Sequence, residues 1–409
     1  MKARPQSPLV LVATVATVLL FVLGHYYVAT GKQLLPSIID AVTPKHAQHT
    51  PWPEADGRVH YPNHTVVLCT TATVFDLTVA TGWHPAQPGL GPFWASAPKA
   101  PGEKYTRGLA MARLSNEDVG WIDEAGLDVE QYVYVVDDRQ ARFSTPANKG
   151  NEAMAYLTYI IDHYDTLPDI TLFMHSHRYA DHNDAMLNRD AVEVIRRLDS
   201  EHVMREGYVN LNCARWEDCH TLYKYGFKPL FGDALFDLYA RTFPGRETPW
   251  MITAPCCGQF AVSRDRIKAA SREQYVSFRD WILQSELSDY ESGRVWEYFW
   301  HILFTGLETR CPDGWACLCR VYGICFRGPH EVRLWDAMLL RSQEIGKRTW
   351  KIDGLLGSSR EEDDKLRLEK ETLEKEREEL DAKREQMRQV AIERGYDPSS
   401  RDDMKDIYY

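Results

Sequence analysis

Apolar positions fall along this chain in three different rhythms. Residues 8–29 (PLVLVATVATVLLFVLGHYYVA) form an unbroken apolar run whose only titratable side chains are His25, Tyr26 and Tyr27. About 22 residues make roughly 33 Å of helix, enough to cross a hydrocarbon core. Between residues 107 and 328 short β-like runs alternate with helical spacing. Residues 107–113, 131–136 (QYVYVV) and 170–174 (ITLFM) read as strands. Ala153, Tyr156, Leu157, Ile160 and Ile161 repeat at helical intervals in 152–164, and 191–198 opens another helix. Beyond 358 charge dominates, and Leu366, Leu373, Leu380 and Met387 recur every seven residues. Only one heptad position is apolar there, so half of a coiled-coil seam is missing. A solvated single helix and a self-associating one both fit that pattern.

Strand–helix–strand alternation predicts an α/β domain on a mostly parallel sheet, whose ligands sit at the carboxyl ends of the strands. The divisions expected are a cytoplasmic tail (1–7), a transmembrane signal-anchor (8–29), a stem (30–106), the α/β domain (107–328), a helical extension (329–358) and a long charged helical or disordered tail (359–409). Lys2 and Arg4 precede the anchor and Lys32 follows it, a slight bias toward a cytoplasmic N-terminus. A cleaved signal peptide is the competing reading, and both deliver the body to the lumen of the secretory pathway, Golgi or endoplasmic reticulum.

Composition sharpens this picture at two points. A net charge of −11 over 409 residues excludes a nucleic-acid binder, which needs a basic surface. Of nine cysteines, eight lie between Cys213 and Cys325. That density and the Asn63-His64-Thr65 glycosylation sequon suit an oxidising compartment, so disulfides are expected rather than zinc. Cys213 and Cys219 are near enough to close a small loop, and Cys311, Cys317, Cys319 and Cys325 form a second group with open pairing. Cys256 and Cys257 are adjacent and unsuited to bond each other, and Cys69 is left over.

Polar residues gather where strands end. Asn116 follows the first strand, Asp137 and Asp138 end the second, and Lys149 and Asn151 sit in a turn that opens a helix, where amides can face an anion. After ITLFM come His175, His177, Arg178 and His182. Alternate residues of an extended chain share a face, so His175 and His177 can converge on a divalent metal or a phosphate. Gln259 and Arg264 bound a short apolar segment, and Glu297 and His301 lie one helical turn apart among aromatic residues. A carboxyl there is a candidate base. The alternatives are structural: turns and caps, a hydrogen-bonded polar loop, and a core helix satisfying buried partners.

The stretches ARLSNEDVGWI, NKGNEAMAYLTYIIDHYDTLPDITLFMHSHR, HND, GYVNLNC, PCCGQFAVSRDRI, SGRVWEYFWHILF and CPDGWACLC with YGIC resemble the mostly fungal domain family DUF3431, whose name carries no reaction. Leu114-Ser115 stands where similar sequences carry Tyr, and Asp181 where an aromatic usually precedes His-Asn-Asp. The order of parts is also similar to glycosyltransferases of the nucleotide-sugar-binding (GT-A) type. That likeness implies a nucleotide sugar and a glycan acceptor as partners, with Asn116, Asp137 and Asp138 on the nucleotide, Arg178 on the diphosphate and the segment from Gln259 to Arg264 lining the acceptor pocket; Lys149 and Asn151, in the turn that opens a helix, are further ligand-binding candidates. It assigns His175, His177 and His182 to manganese or magnesium, or directly to the diphosphate, and the base to Glu297 with His301. His-x-His replaces the paired aspartates of such enzymes, a departure that matters because these metals prefer oxygen ligands. A non-catalytic glycan- or cell-wall-binding domain is the alternative. A metal-dependent hydrolase lacks an evident nucleophile.

Overall fold

A computed structural model of the chain describes residues 97–100, 102–213, 219–225, 229, 231–255, 258–357 and 360–402. The expected anchor at 8–29, most of the stem, the Asn63 sequon, Cys69, Cys256 and Cys257 lie outside the described residues. Among the described residues no helix is long and apolar enough to cross a membrane.

The elements follow in the order β1 (Arg107–Arg113), α1 (Trp121–Glu124), β2 (Glu130–Val135), α2 (Glu152–His163), β3 (Ile170–His175), α3 (Ala191–Arg197), α4 (Ser200–Glu206), β4 (Tyr208–Asn210), β5 (His220–Tyr223), α5 (Gly232–Thr242), β6 (Met251–Ala254), β7 (Phe260–Ser263), α6 (Arg264–Lys268), α7 (Arg272–Gln284), α8 (Asp289–Thr305), α9 (Gly314–Tyr322), α10 (Pro329–Leu355), α11 (Arg360–Gly395) and α12 (Pro398–Asp402). The central sheet runs β2-β1-β3-β7-β4, and β5 pairs with β6 apart from it. Strand β1 is parallel to both β2 and β3, as the alternating pattern predicts. Strand β7 runs antiparallel to β3 and to β4, so the sheet is mixed beyond its parallel core.

Period-two alternation divides the sheet's side chains between two cores. Ala110, Phe173, Phe260 and Val262 face the layer of α2, α5, α7 and α8. Leu109, Met111, Leu172, Met174 and Ala261 face α3, α4, α9 and α10 on the other side. On the first side α8 supplies an aromatic ladder, with Trp296, Trp300 and Phe304 packed in sequence against Phe260. Ser288 and Glu291 fix the start of that helix by a capping box, and Gly306 ends it in the left-handed conformation.

Disulfides are present as expected; one lies within the second group, but Cys213 and Cys219 pair across the groups instead of closing a loop with each other. Cys213 bonds Cys317 and Cys219 bonds Cys311, while Cys319 bonds Cys325. The first bridge ties the segment after β4 to α9 and the second ties the start of β5 to the chain before α9, because tertiary packing brings these together: the Tyr322 hydroxyl donates to the Leu211 carbonyl at 2.6 Å.

The charged tail is neither solvated alone nor left free. Helix α11 folds back antiparallel on α10, with Arg341 forked onto Glu376 and Arg348 onto Glu369. These ion pairs occupy the seam where the heptad pattern lacks apolar residues. The Trp335 indole donates to the Arg384 carbonyl and lies under its guanidinium. Further along, Ala391 and Ile392 enter the same core as Met174, and Arg401 pairs with Asp199 at 2.5 Å. Ile392→Ala should therefore cost about 2 kcal/mol in urea unfolding. A stability unchanged by that substitution would show that the end of α11 does not hold to the body.

Candidate functional site

The parallel core sends the loops after β1, β2 and β3 to one edge of the sheet. Asn116 lies in the loop after β1, Asp137 and Asp138 follow β2, and His175 ends β3. Because β7 is antiparallel to β3, Gln259 just before it reaches the same edge, whereas Arg264 just after it does not. Arg264 instead binds Asp169 and the Leu167 carbonyl, both at 2.8 Å, at the amino end of β3. Strand direction thus sets Arg264 at the edge away from the other candidates, although the likeness places it with Gln259.

Met174 faces the α3–α4 side, so His175 shares the face of Phe173 and turns toward α2 and α8. There it lies near Glu297, whose carboxyl feels its charge. The alternation does not carry on to His177. Ser176 leaves the strand, its carbonyl accepting from the Trp121 indole at 2.9 Å and its hydroxyl donating to Glu117. His177 is then exposed, with Nε2 3.4 Å from Glu117. His182 replaces it as the companion of His175, their ring centroids 4.5 Å apart. Partial desolvation, then the His175 ring, hold His182 below the ordinary imidazole value.

The loop that returns His182 is built by buried amides. Gln259 accepts from the His175 backbone at 3.0 Å and donates to Asn183 at 3.0 Å. Asn183 in turn donates to the carbonyls of Arg178 and Arg189, and Asp184 caps a short turn through Met186. Arg178 is forked onto Asp190, both bonds 3.0 Å, and Asp190 also caps α3. Gln259 and Arg178 thus order the site's framework. The same holds for Asp137, whose carboxylate takes the Ser115 amide and hydroxyl at 2.8 Å each and is held low by them. Asp138 caps a turn through Gln140. Lys149 reaches the Ser285 carbonyl and the Asn151 amide donates to Asp289, pinning α2 to the α7–α8 connection.

The centre of the site contains a residue that the sequence reading did not single out. Glu152 is the first residue of α2, buried with Oε1 unpartnered. Its neighbour is Glu297 of α8, and Gly258 lies against both. A Cβ at Gly258 would stand 2.8 Å from Glu152 Oε1 and 3.6 Å from Glu297 Cγ, and its φ of +63° favours glycine. Burial pushes the Glu152 carboxyl up to about 7, outweighing its own backbone amide and Arg294. Burial, reinforced by Glu152, pushes Glu297 up to about 7 as well, against Arg294 and His175. Arg294 Nη1 sits 2.5 Å from Glu297. The Tyr156 hydroxyl, one turn beyond Glu152, is buried, unpartnered and raised first by burial and then by both acids. A Glu–Tyr pair at i,i+4 on an otherwise apolar helix was the signal available for Glu152. His301 sits deeper, its Nε2 3.2 Å from the Glu308 carbonyl, and burial lowers it to about 4.

Two carboxyls titrating near neutrality beside an arginine and two imidazoles can exchange protons at physiological pH. His177 is turned to Glu117, and among the described residues no three His, Cys, Asp or Glu side chains are placed to share one metal ion. No curated protein and no solved structure matches the chain. A family model described as "Protein of unknown function (DUF3431)" matches residues 109–320, more than half of the 409 residues. The chain belongs to the DUF3431 family.

Proposed function

We propose that this protein is a glycosyltransferase-like enzyme of the GT-A type, carried into the secretory lumen by residues 8–29. The observation that carries this reading is the meeting of Glu152, Glu297, Arg294, His175 and His182 at the carboxyl edge of the parallel strands. Glu297 takes the proton of an acceptor hydroxyl as that oxygen bonds to the anomeric carbon of a nucleotide sugar. The bond from that carbon to the diphosphate breaks, and the diphosphate leaves with the electron pair. Arg294 and the two imidazoles stabilise its charge, and exposed Asn116 and Asp138 contact the nucleoside. The disulfides Cys213–Cys317, Cys219–Cys311 and Cys319–Cys325 support a luminal body.

Thermal unfolding of the disulfide-intact body with each common nucleotide sugar tests the proposal. One sugar nucleotide, tested with and without manganese, is expected to raise the midpoint saturably and to be turned over with a glycan acceptor. No shift with any of them would end the transferase reading. A saturable shift without turnover on any acceptor would leave a glycan-binding domain.

A further inference from the structure

A cleft opens between the α10–α11 pair and the loop that carries His182. It is a shallow, open groove of about 650 Å³ lined by Asp181, Arg189, Gln343, Lys347, Trp350 and Arg377. Its chemistry differs from that of the surface around it. The whole chain is acidic, yet here three cations face one carboxylate. Asp181 lies 3.4 Å from Arg189, and Arg377 is 3.8 Å from Asp381, a loose contact that leaves its fork open. Lys347 has no ion-pair partner among the described residues. Gly346 also lines the cleft, against the Arg377 guanidinium. Trp350 stands in the same cleft with 77% of its surface in water.

We propose that this cleft binds an acidic oligosaccharide. A pyranose presents a face of C–H bonds that stacks on an indole, so Trp350 takes the ring. The sugar's carboxylate, sulfate or phosphate meets Lys347, Arg377 and Arg189, and arginine forks match such planar or tetrahedral oxyanions. Gln343 and Asp181 are left for hydroxyls. A nucleic acid offers rings and charge too, but three cations at the rim of an acidic helix pair cannot track a phosphate backbone. Asp181 adjoins His182 and acts on its ring, so a chain lying in the cleft leads toward the carboxyl pair. The inference rests on the transferase reading only in that last step.

Calorimetric titration with short oligogalacturonates, free acid against full methyl ester, tests the assignment on the disulfide-intact chain. The free acid is expected to bind saturably and the ester at least tenfold more weakly. Trp350→Ala and the pair Lys347→Ala with Arg377→Ala should each weaken the acid at least tenfold, while Glu297→Gln leaves its binding unchanged. These exposed positions should keep the thermal midpoint of the parent. Absence of binding by the acid, equal binding by the ester or by Trp350→Ala, or tighter binding of a single-stranded oligonucleotide would each overturn the proposal. Binding here with no nucleotide-sugar shift would remove the transferase reading and leave the cleft.

Discussion

Glu297→Gln is expected to lower transfer by roughly 10²–10⁴-fold, the range that general-base catalysis supplies, while leaving the nucleotide-sugar thermal shift in place. The amide retains the shape of the carboxyl, and its oxygen still accepts from Arg294. It cannot take a proton from the acceptor hydroxyl. Single-turnover rates on the variant measure the loss directly, and a rate equal to the parent's would remove Glu297 from the reaction. A second reading separates chemistry from mere disturbance of the fold. The base must be ionised, so the rate should rise with pH through about 7, the value to which burial and Glu152 push Glu297. Glu152→Gln removes the like charge and should move that limb to lower pH. A limb that stayed in place would show that the two acids do not speak to each other.

The strands of the parallel core were legible because β-branched and aromatic runs of five to seven residues have little else to become. Their direction was also legible, since the helical spacing of Ala153 to Ile161 forces a crossover between β2 and β3. Strand β7 was not. Phe260 to Ser263 is a four-residue apolar run, and nothing in it records which way it pairs. The likeness placed both ends of this strand in one pocket, and its direction brings only Gln259 to that edge. His177 was misread for a related reason: alternation holds only while the chain stays extended, and Ser176 is drawn off by Trp121 and Glu117. The cysteine pairing was beyond sequence spacing, because Cys213 meets Cys317 only after α9 has packed.

Family motifs were legible as motifs but ambiguous as roles. In His-Asn-Asp, the asparagine and aspartate organise the loop through Arg178, Arg189 and Met186, and only the histidine faces the site. In the turn before α2, the polar residues Lys149 and Asn151 fasten α2 to the α7–α8 connection. The acid that follows them is the one that enters the site. A carboxyl at a helix N-terminus ordinarily reads as a favourable dipole contact, which would lower its pKa. Burial under Gly258 reverses that effect, and burial is what a sequence does not print.

That reversal sets the sign of a stability effect. A glutamate that titrates near 4.5 in the unfolded chain and near 7 in the fold binds its proton more tightly when folded. Its contribution is complete below the unfolded value and is lost as pH rises through the folded one. Between about pH 4.5 and pH 9 the Glu152 carboxyl alone should withdraw about 3 kcal/mol of stability, since each pKa unit is about 1.4 kcal/mol. Arg294 opposes this loss, whereas Asp289 adds to it, and both are included in the shift. Glu297 has the same sign, and His175 and Arg294 work against it. The two acids will titrate as a coupled pair, so the measurement belongs to the pair and its variants. Urea unfolding at about pH 5, 7 and 9 should show the parent weakening toward alkaline pH and Glu152→Gln weakening less, by about 3 kcal/mol at the alkaline end. Histidines and tyrosines also titrate across that interval, but they are common to both proteins and cancel in the difference. Parallel stability curves for the parent and Glu152→Gln would mean that Glu152 stays hydrated in the folded state, and the proton-holding pair would then be lost as a working part of the site.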